Sequence, residues 1–352
     1  MSSKIRELLL KGLKEEVYPG VVLVAGISGQ PLIRLAMGYS KKIPQLIPIQ
    51  KETIFDLASL TKPFATSLIA MKLTEEGILD LDMKLSSIIF VPVDKQDITI
   101  RMLLSHCSGL PDWRPYYLSL SGFPLAMRKK LVIEWILKEK LVFPPGKGEL
   151  YSDLGFILLA HVIEEISGTD MRTLLKGIYE RLKLNRTFLG CPDKKLHVRD
   201  FAATELCTWR KRVIQAEVHD ENAFALGGYS GHSGLFSTAD ELFLISYILL
   251  SHYYGERGDL FKRETVREFF KKQNSRWALG WDTPTGESSA GTLFSSNSVG
   301  HLGFTGTSVW IDLEKGIIAV LLTNRIHPSR NNHKIKAFRP LIHDEVVKAL
   351  LF

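Results

Sequence analysis

The stretch FDLASLTKPFATSLIAMKLTEEG, Phe55–Gly77, sets a serine and a lysine three residues apart where a long apolar helix begins. On a helix, residues i and i+3 share a face, so Ser59 and Lys62 lie close enough to exchange a proton. Punctuation supports a helix over Pro63–Glu76. Pro63 falls in the first turn, where its missing N–H costs no hydrogen bond, and Gly77 stands where a left-handed C-cap is wanted. The hydroxyl is thus expected at a helix N-terminus, where backbone N–H groups can stabilise a developing oxyanion. Burial and the same positive potential would favour a neutral Lys62 amine able to act as a base. The alternative reading is a polar helix start, with Ser59 as an N-cap and Lys62 solvated.

Outward from this helix, GVVLVAGI and PLIRLAMGYS flank SGQ and read as a β-hairpin near the N-terminus. TSVWIDL and GIIAVLLTN repeat the pattern around EKG near the C-terminus. The first residues have amphipathic helical spacing. The last stretch, HKIKAFRPLIHDEVVKALLF, is helical with a break or kink expected at Pro340. Helices are also expected at Ile98–Leu104, Pro124–Glu139, Leu154–Ser167 and Ala239–Ser251. The expected fold is α/β (α+β): an antiparallel sheet built from both chain ends and flanked by helices, 1–57 plus 285–352, with a mainly helical domain, 58–284, inserted. The cleft between them is the expected site.

The 352 residues are 45% hydrophobic and 24% charged, an ordinary globular composition. A net charge of +7 is spread along the chain, and its densest clusters lack interleaved aromatics, which points to a solvated basic surface and away from nucleic acid. Three cysteines without a CxxC pair suggest neither a disulfide framework nor a zinc ribbon. The longest strongly apolar stretch, near Leu242–Leu250, is too short to span a bilayer. If Met1 is the natural start, the absence of a signal-peptide pattern predicts a cytoplasmic protein.

Two further segments carry chemistry. PPGKGELYSDLGF leads Tyr151 into an apolar helix, where a phenol can join a proton shuttle or, as the plainer alternative, be a half-buried aromatic. SVGHLGFTGTSVWID sets Gly300, Gly303 and Gly306 around a strand, where small residues let a ligand approach backbone donors.

SLTK, YSD and HLG, in this order and spacing, resemble the three active-site motifs of the serine β-lactamase and penicillin-binding-protein superfamily: Ser-x-x-Lys, Tyr-x-Asn and Lys-Thr-Gly. The segments LLSHCSGLPDW, GHSGLFSTADEL and GHLGFTGTSVWID are similar to the branch that holds class C β-lactamases, DD-peptidases and related esterases. The likeness runs from about Gly20 to Asn324.

The resemblance implies a serine hydrolase working through an acyl-enzyme on Ser59, with Lys62 as proton acceptor. Tyr151 would serve the leaving group and then the deacylating water. The backbone N–H groups of Ser59 and Phe304 would form the oxyanion hole, and Asp153, His301 and Gly303 would face the substrate. No metal and no cofactor is implied. The partner is a small-molecule ester, amide or β-lactam-like substrate, and the oligomeric state is not set by the sequence.

Three departures matter. Asp153 stands where Asn is usual, and its carboxylate could hold Lys62 protonated or bond the substrate. His301 and Leu302 replace Lys and Thr, which weakens recognition of a substrate carboxylate and points to esters or small amides. A DD-peptidase, a weak β-lactamase and a catalytically silent binding protein are the alternatives. His219, Asp220 and His232 invite a metal or triad reading, with structural hydrogen bonding as the favoured alternative. His106 is read as a loop anchor, and Trp113, Tyr116 and Tyr117 as pocket lining.

Overall fold

The computed structural model describes residues 3–192 and 195–352. The strands in chain order are β1 (Gly20–Ile27), β2 (Gln30–Lys41), β3 (Ile47–Pro48), β4 (Phe55–Asp56), β5 (Phe188–Leu189), β6 (Leu206–Cys207), β7 (Arg212–Val213), β8 (Leu235–Ser237), β9 (Ser298–Leu302), β10 (Ser308–Asp312) and β11 (Ile317–Thr323). Among the described residues, the main sheet has the order β3-β2-β1-β11-β10-β9, so the two ends of the chain meet where β1 pairs antiparallel with β11. Short β4, β8 and β5 form a second sheet, and β6 and β7 a ribbon.

β1 is apolar throughout because both its faces are covered. Val22 and Val24 join Ile318, Val320 and Leu322 on the face toward the central helices. Val21, Leu23 and Ala25 join Ala319, Leu321 and Trp310 on the face toward the terminal helices, Ser3–Lys14 and Ile335–Leu351. The register Val24↔Val320 keeps these two sets aligned across the strand pair.

The expected helices are present as Ile100–Leu104, Leu125–Lys138, Asp153–Ser167 and Ala239–Tyr254. The expected break at Pro340 is absent: Ile335–Leu351 is one helix. Pro340 removes a single intrahelical bond near the N-terminal end, and the buried stripe Phe338, Ile342, Val346 and Leu350 carries the helix past it. No helix among the described residues is long and apolar enough to cross a membrane.

The stretch after β4 is more complex than a plain helix. Ala58–Leu60 is a 3₁₀ turn, Lys62–Ser67 a π-helix, and only Leu68–Glu75 is α-helical. π turns leave carbonyls free for other partners. Here the Tyr179 hydroxyl donates to the Phe64 carbonyl (2.5 Å). Gly77, at φ +72°, ends the helix as its position suggests.

Candidate active site

Ala58 holds a left-handed backbone, φ +48°, immediately before Ser59. A non-glycine residue there stores strain and needs surrounding contacts to keep it. Buried Asp56 supplies them: its carboxylate accepts from the Ala58 N–H (2.9 Å) and from the His219 N–H (2.6 Å). The turn thereby projects the Ser59 side chain toward the cleft, without a capping hydrogen bond from Ser59. The N-cap alternative is thus not the one the fold adopts.

Lys62 lies one turn on, with no exposed side-chain surface. Its Nζ donates to Ser59 Oγ (3.2 Å), Tyr151 Oη (2.6 Å) and Asp153 Oδ1 (2.6 Å). Burial works against the ammonium, but the Asp153 carboxylate and the Tyr151 oxygen outweigh it, and the lysine pKa is raised. The expected neutral amine is therefore corrected: an acidic partner in contact keeps Lys62 charged. Burial also raises the Tyr151 phenol, against the opposing pull of Lys62. At rest the site holds an ammonium and a phenol. Asp153, expected to face substrate, faces Lys62.

Tyr151 is placed by the start of the helix Asp153–Ser167. Ser152 caps it, accepting from the Gly155 N–H (2.9 Å) and donating to the Pro111 carbonyl (2.6 Å). His106 Nδ1 accepts from the Ser152 N–H (3.0 Å), and its ring packs on Tyr151, Phe156 and Trp277. Burial holds His106 neutral. This is an anchor for the tyrosine turn.

The third segment closes the cleft. His301 donates from Nδ1 to the Leu302 carbonyl (2.8 Å), which leaves Nε2 as an acceptor without a partner among the described residues. Burial, helped by the Lys62 charge, pushes its pKa down to about 3, so it is neutral at physiological pH. Gly300 and Gly303 make room for the chain itself. A Cβ at Gly300 would overlap Trp310, and one at Gly303 would overlap the Thr307 hydroxyl and the Leu57 carbonyl. The loop 303–307 is bound to the Ser59 turn by Thr305 Oγ1 to the Asp56 carbonyl (2.7 Å) and Thr307 Oγ1 to the Leu57 carbonyl (3.2 Å). Among the described residues, the Phe304 N–H donates to no backbone carbonyl.

The cavity beside Ser59 measures about 320 Å³, and its wall includes Tyr151, Trp277, His301, Gly303 and Phe304. Arg276, Arg325, Lys336 and Arg339 also reach it. Arg276 is neutralised by a two-pronged bond to Asp282 (2.7 and 2.7 Å). Arg325 and Arg339 are buried and, among the described residues, bond only carbonyls: Arg325 that of Phe304 (2.6 Å), Arg330 and Asn332, Arg339 those of Gly303 (3.1 Å) and Thr307 (2.9 Å). Burial lowers them to about 10 and about 9, still cationic at neutral pH. Arg339 Nε has no partner among the described residues.

The residue pattern alone did not reveal Trp277, Arg325 or Arg339. The one signal was a charge at position 339 within the buried stripe of the last helix. Trp113, Tyr116 and Tyr117 do not line this cavity: Tyr116 bonds Glu139 (3.0 Å) and Tyr117 packs edge-on against Trp209. His219, Asp220 and His232 serve structure. His219 bonds Glu205 (3.0 Å) and stacks on Phe304, while Asp220 caps a helix and accepts from His232 (2.9 Å). Glu205, Cys207 and Glu221 offer donor atoms close together, but Arg330 bonds both glutamates.

The family model described as Beta-lactamase matches residues 5–341. The chain belongs to the beta-lactamase family. Within that family it is 32% identical over 344 residues to an N-acetylmuramyl-L-alanine amidase of Bacillus subtilis (strain 168), covering 88% of this chain and 78% of that one. It is also 32% identical over 350 residues to a putative D-alanyl-D-alanine carboxypeptidase of Escherichia coli (strain K12), covering 88% and 79%. Among solved structures, the hydrolase EstCE1 superposes with a TM-score of 0.74 at 22% identity, covering 96% of this chain and 98% of that one. The octameric penicillin-binding protein homologue from Pyrococcus abyssi gives 0.73 at 22%, covering 96% and 77%. These two establish the shared fold. The protein is a beta-lactamase-family serine hydrolase.

Proposed function

We propose that Ser59 is the acylated nucleophile, in the cleft between a sheet unit, 1–57 with 285–352, and a mainly helical unit, 58–284. The observation that carries this is the contact of Lys62 Nζ with both Ser59 Oγ and Tyr151 Oη at the cavity floor. Attack by Oγ on an acyl carbon converts the carbonyl oxygen to an oxyanion, which the N–H groups of Ser59 and Phe304 receive. The bonds from Thr305 and Thr307 to Asp56 and Leu57 hold these two N–H groups in one frame. Tyr151 gives its proton to the leaving group, and water then releases the acyl group.

The substrate is an amide or ester with an anionic group beside the scissile bond. Arg325, Arg339 and Lys336 in the cavity wall support this, because unpaired cations there favour an anion. They offset what His301 and Leu302 withhold from a carboxylate. The names of the amidase and carboxypeptidase relatives point to cell-wall peptides as the class to test. A neutral ester is the second reading, favoured by the uncharged His301 and the apolar Leu302. The test compares kcat/KM for a peptide ending in D-Ala-D-Ala, its C-terminal amide, and a p-nitrophenyl ester. A preference for the free carboxylate supports the first reading. Equal turnover of acid and amide, with faster ester cleavage, supports the second.

A further inference from the structure

The three protons of the Lys62 ammonium are matched by three oxygens, those of Ser59, Tyr151 and Asp153. An ammonium has no lone pair, so it can receive the Ser59 proton only by releasing one of its own. Of the other two oxygens, the phenol of Tyr151 already carries its proton, whereas a carboxylate becomes a stable neutral acid on accepting one. Asp153 lies 2.6 Å away, in the first turn of its helix, and its side chain keeps some contact with solvent while Lys62 has none.

We propose that Asp153 stores the Ser59 proton during acylation, acting through Lys62. Ser59 Oγ–H transfers its proton to Lys62 Nζ as Lys62 transfers one to Asp153 Oδ1, and Oγ forms its bond to the acyl carbon. When the tetrahedral intermediate collapses, the bond to the leaving group breaks and that group takes the Tyr151 proton. Lys62 restores the phenol and recovers its proton from Asp153. The net result is one proton moved from Ser59 to the leaving group, with the ammonium and carboxylate restored. Asparagine at this position could orient Lys62 but could not hold the proton, so the first step would then wait on loss of a proton from Lys62 itself, whereas this chain runs it with Lys62 charged.

The charged and titratable groups around this pair are Ser59 and Lys62 from the turn after β4, Tyr151 beside Asp153, His106, His301 from β9, and Arg276, which is neutralised by Asp282. Neither histidine competes for the proton, since both are buried near a cation. The inference rests on Ser59 being the nucleophile.

A fluorophosphonate probe tests it, because fluoride leaves without needing the Tyr151 proton and the labelling rate reports the first transfer alone. Rates are measured by intact mass between about pH 5 and 10 for the natural protein, Asp153→Asn, Asp153→Glu and Ser59→Ala, with circular dichroism as the check on folding. The acid limb of Asp153→Asn is expected to move up by more than one pH unit, so that near pH 6 it labels at least about tenfold more slowly. Asp153→Glu is expected to keep the natural limb. Absence of labelling in Asp153→Asn at every pH, with Asp153→Glu labelling on the natural limb, gives the same support. An Asp153→Asn profile lowered uniformly, with its limb unmoved, overturns the proposal, as does loss of labelling in both folded variants. Labelling that persists in Ser59→Ala, or is absent from the natural protein, instead removes the nucleophile assignment, and the relay with it.

Discussion

Lys62 and Asp153 form an ion pair, 2.6 Å from nitrogen to oxygen, in which the lysine side chain has no exposed surface. That pair decides the resting charge of the site. It keeps an ammonium in contact with Ser59 Oγ where a neutral amine would otherwise be favoured by burial. Replacing Lys62 with Met removes the proton carrier and keeps most of its apolar stem. Acylation of Ser59 is expected to slow by about 10³-fold, within the usual range for a lost acid–base group. Stopped-flow release of p-nitrophenol measures it, and a folded Lys62→Met protein acylated at the natural rate would show that another group takes the proton.

Tyr151 is assigned to the leaving group, so the cost of removing its hydroxyl depends on how much the leaving group needs a proton. Tyr151→Phe is expected to lower kcat/KM by about 10²-fold or more for an amide and by much less for a p-nitrophenyl ester. Equal losses on both substrates would place the phenol in a different step.

Arg325 and Arg339 hold the carbonyls of the loop 303–307 and also present charge to the cavity. Their two roles separate by substrate charge. Arg325→Gln, which leaves Arg339 in place, is expected to raise KM for the anionic peptide by about tenfold, the loss of one charge-assisted bond of about 1.4 kcal/mol. A neutral ester should be affected several-fold less. Equal losses on both would confine Arg325 to holding the Phe304 carbonyl.

His301 is neutral in the folded protein down to about pH 3, whereas an unfolded histidine takes up a proton near pH 6.5. A folded pKa below the unfolded one gives a contribution that is complete above pH 6.5 and is lost as the pH falls toward 3. The loss from this residue is about 1.4 kcal/mol per pH unit within that window. The buried His343, lowered to about 4, adds a second contribution of the same sign, lost between about pH 6.5 and 4. Urea midpoints measured from pH 7 to 4 should therefore fall, and less steeply in His301→Gln. An unchanged slope in that variant would mean that His301 is charged in the fold.

The two hairpins and the pairing of the chain ends were legible because β1 and β11 are covered on both faces and read as unbroken apolar runs. The meeting of Ser59, Lys62 and Tyr151 was legible through spacing and resemblance. The strained Ala58, the π-helical turn and the charge on Lys62 were not. Each depends on a contact distant in sequence: Asp56 bonded to His219, Tyr179 on the Phe64 carbonyl, and Asp153 on Lys62. The glycines near β9 show how residue type can be read correctly and purpose misread. Gly300 gives way to Trp310 and Gly303 to Leu57 and Thr307, so both serve packing of the strand and of the loop 303–307 before any ligand arrives. The cationic wall was hidden for the same reason: it joins residues from the end of β11 and the last helix, which meet only once the sheet has formed.

The central claim is that Ser59 is acylated. The most direct measurement is intact and peptide mass spectrometry after rapid acid quenching of the protein with a slowly hydrolysed ester or β-lactam. The expected result is one acyl group on the peptide containing Ser59, absent from Ser59→Ala and accumulating in Tyr151→Phe. Substrate turnover that continues in Ser59→Ala, or an acyl group carried on any other residue, would contradict it.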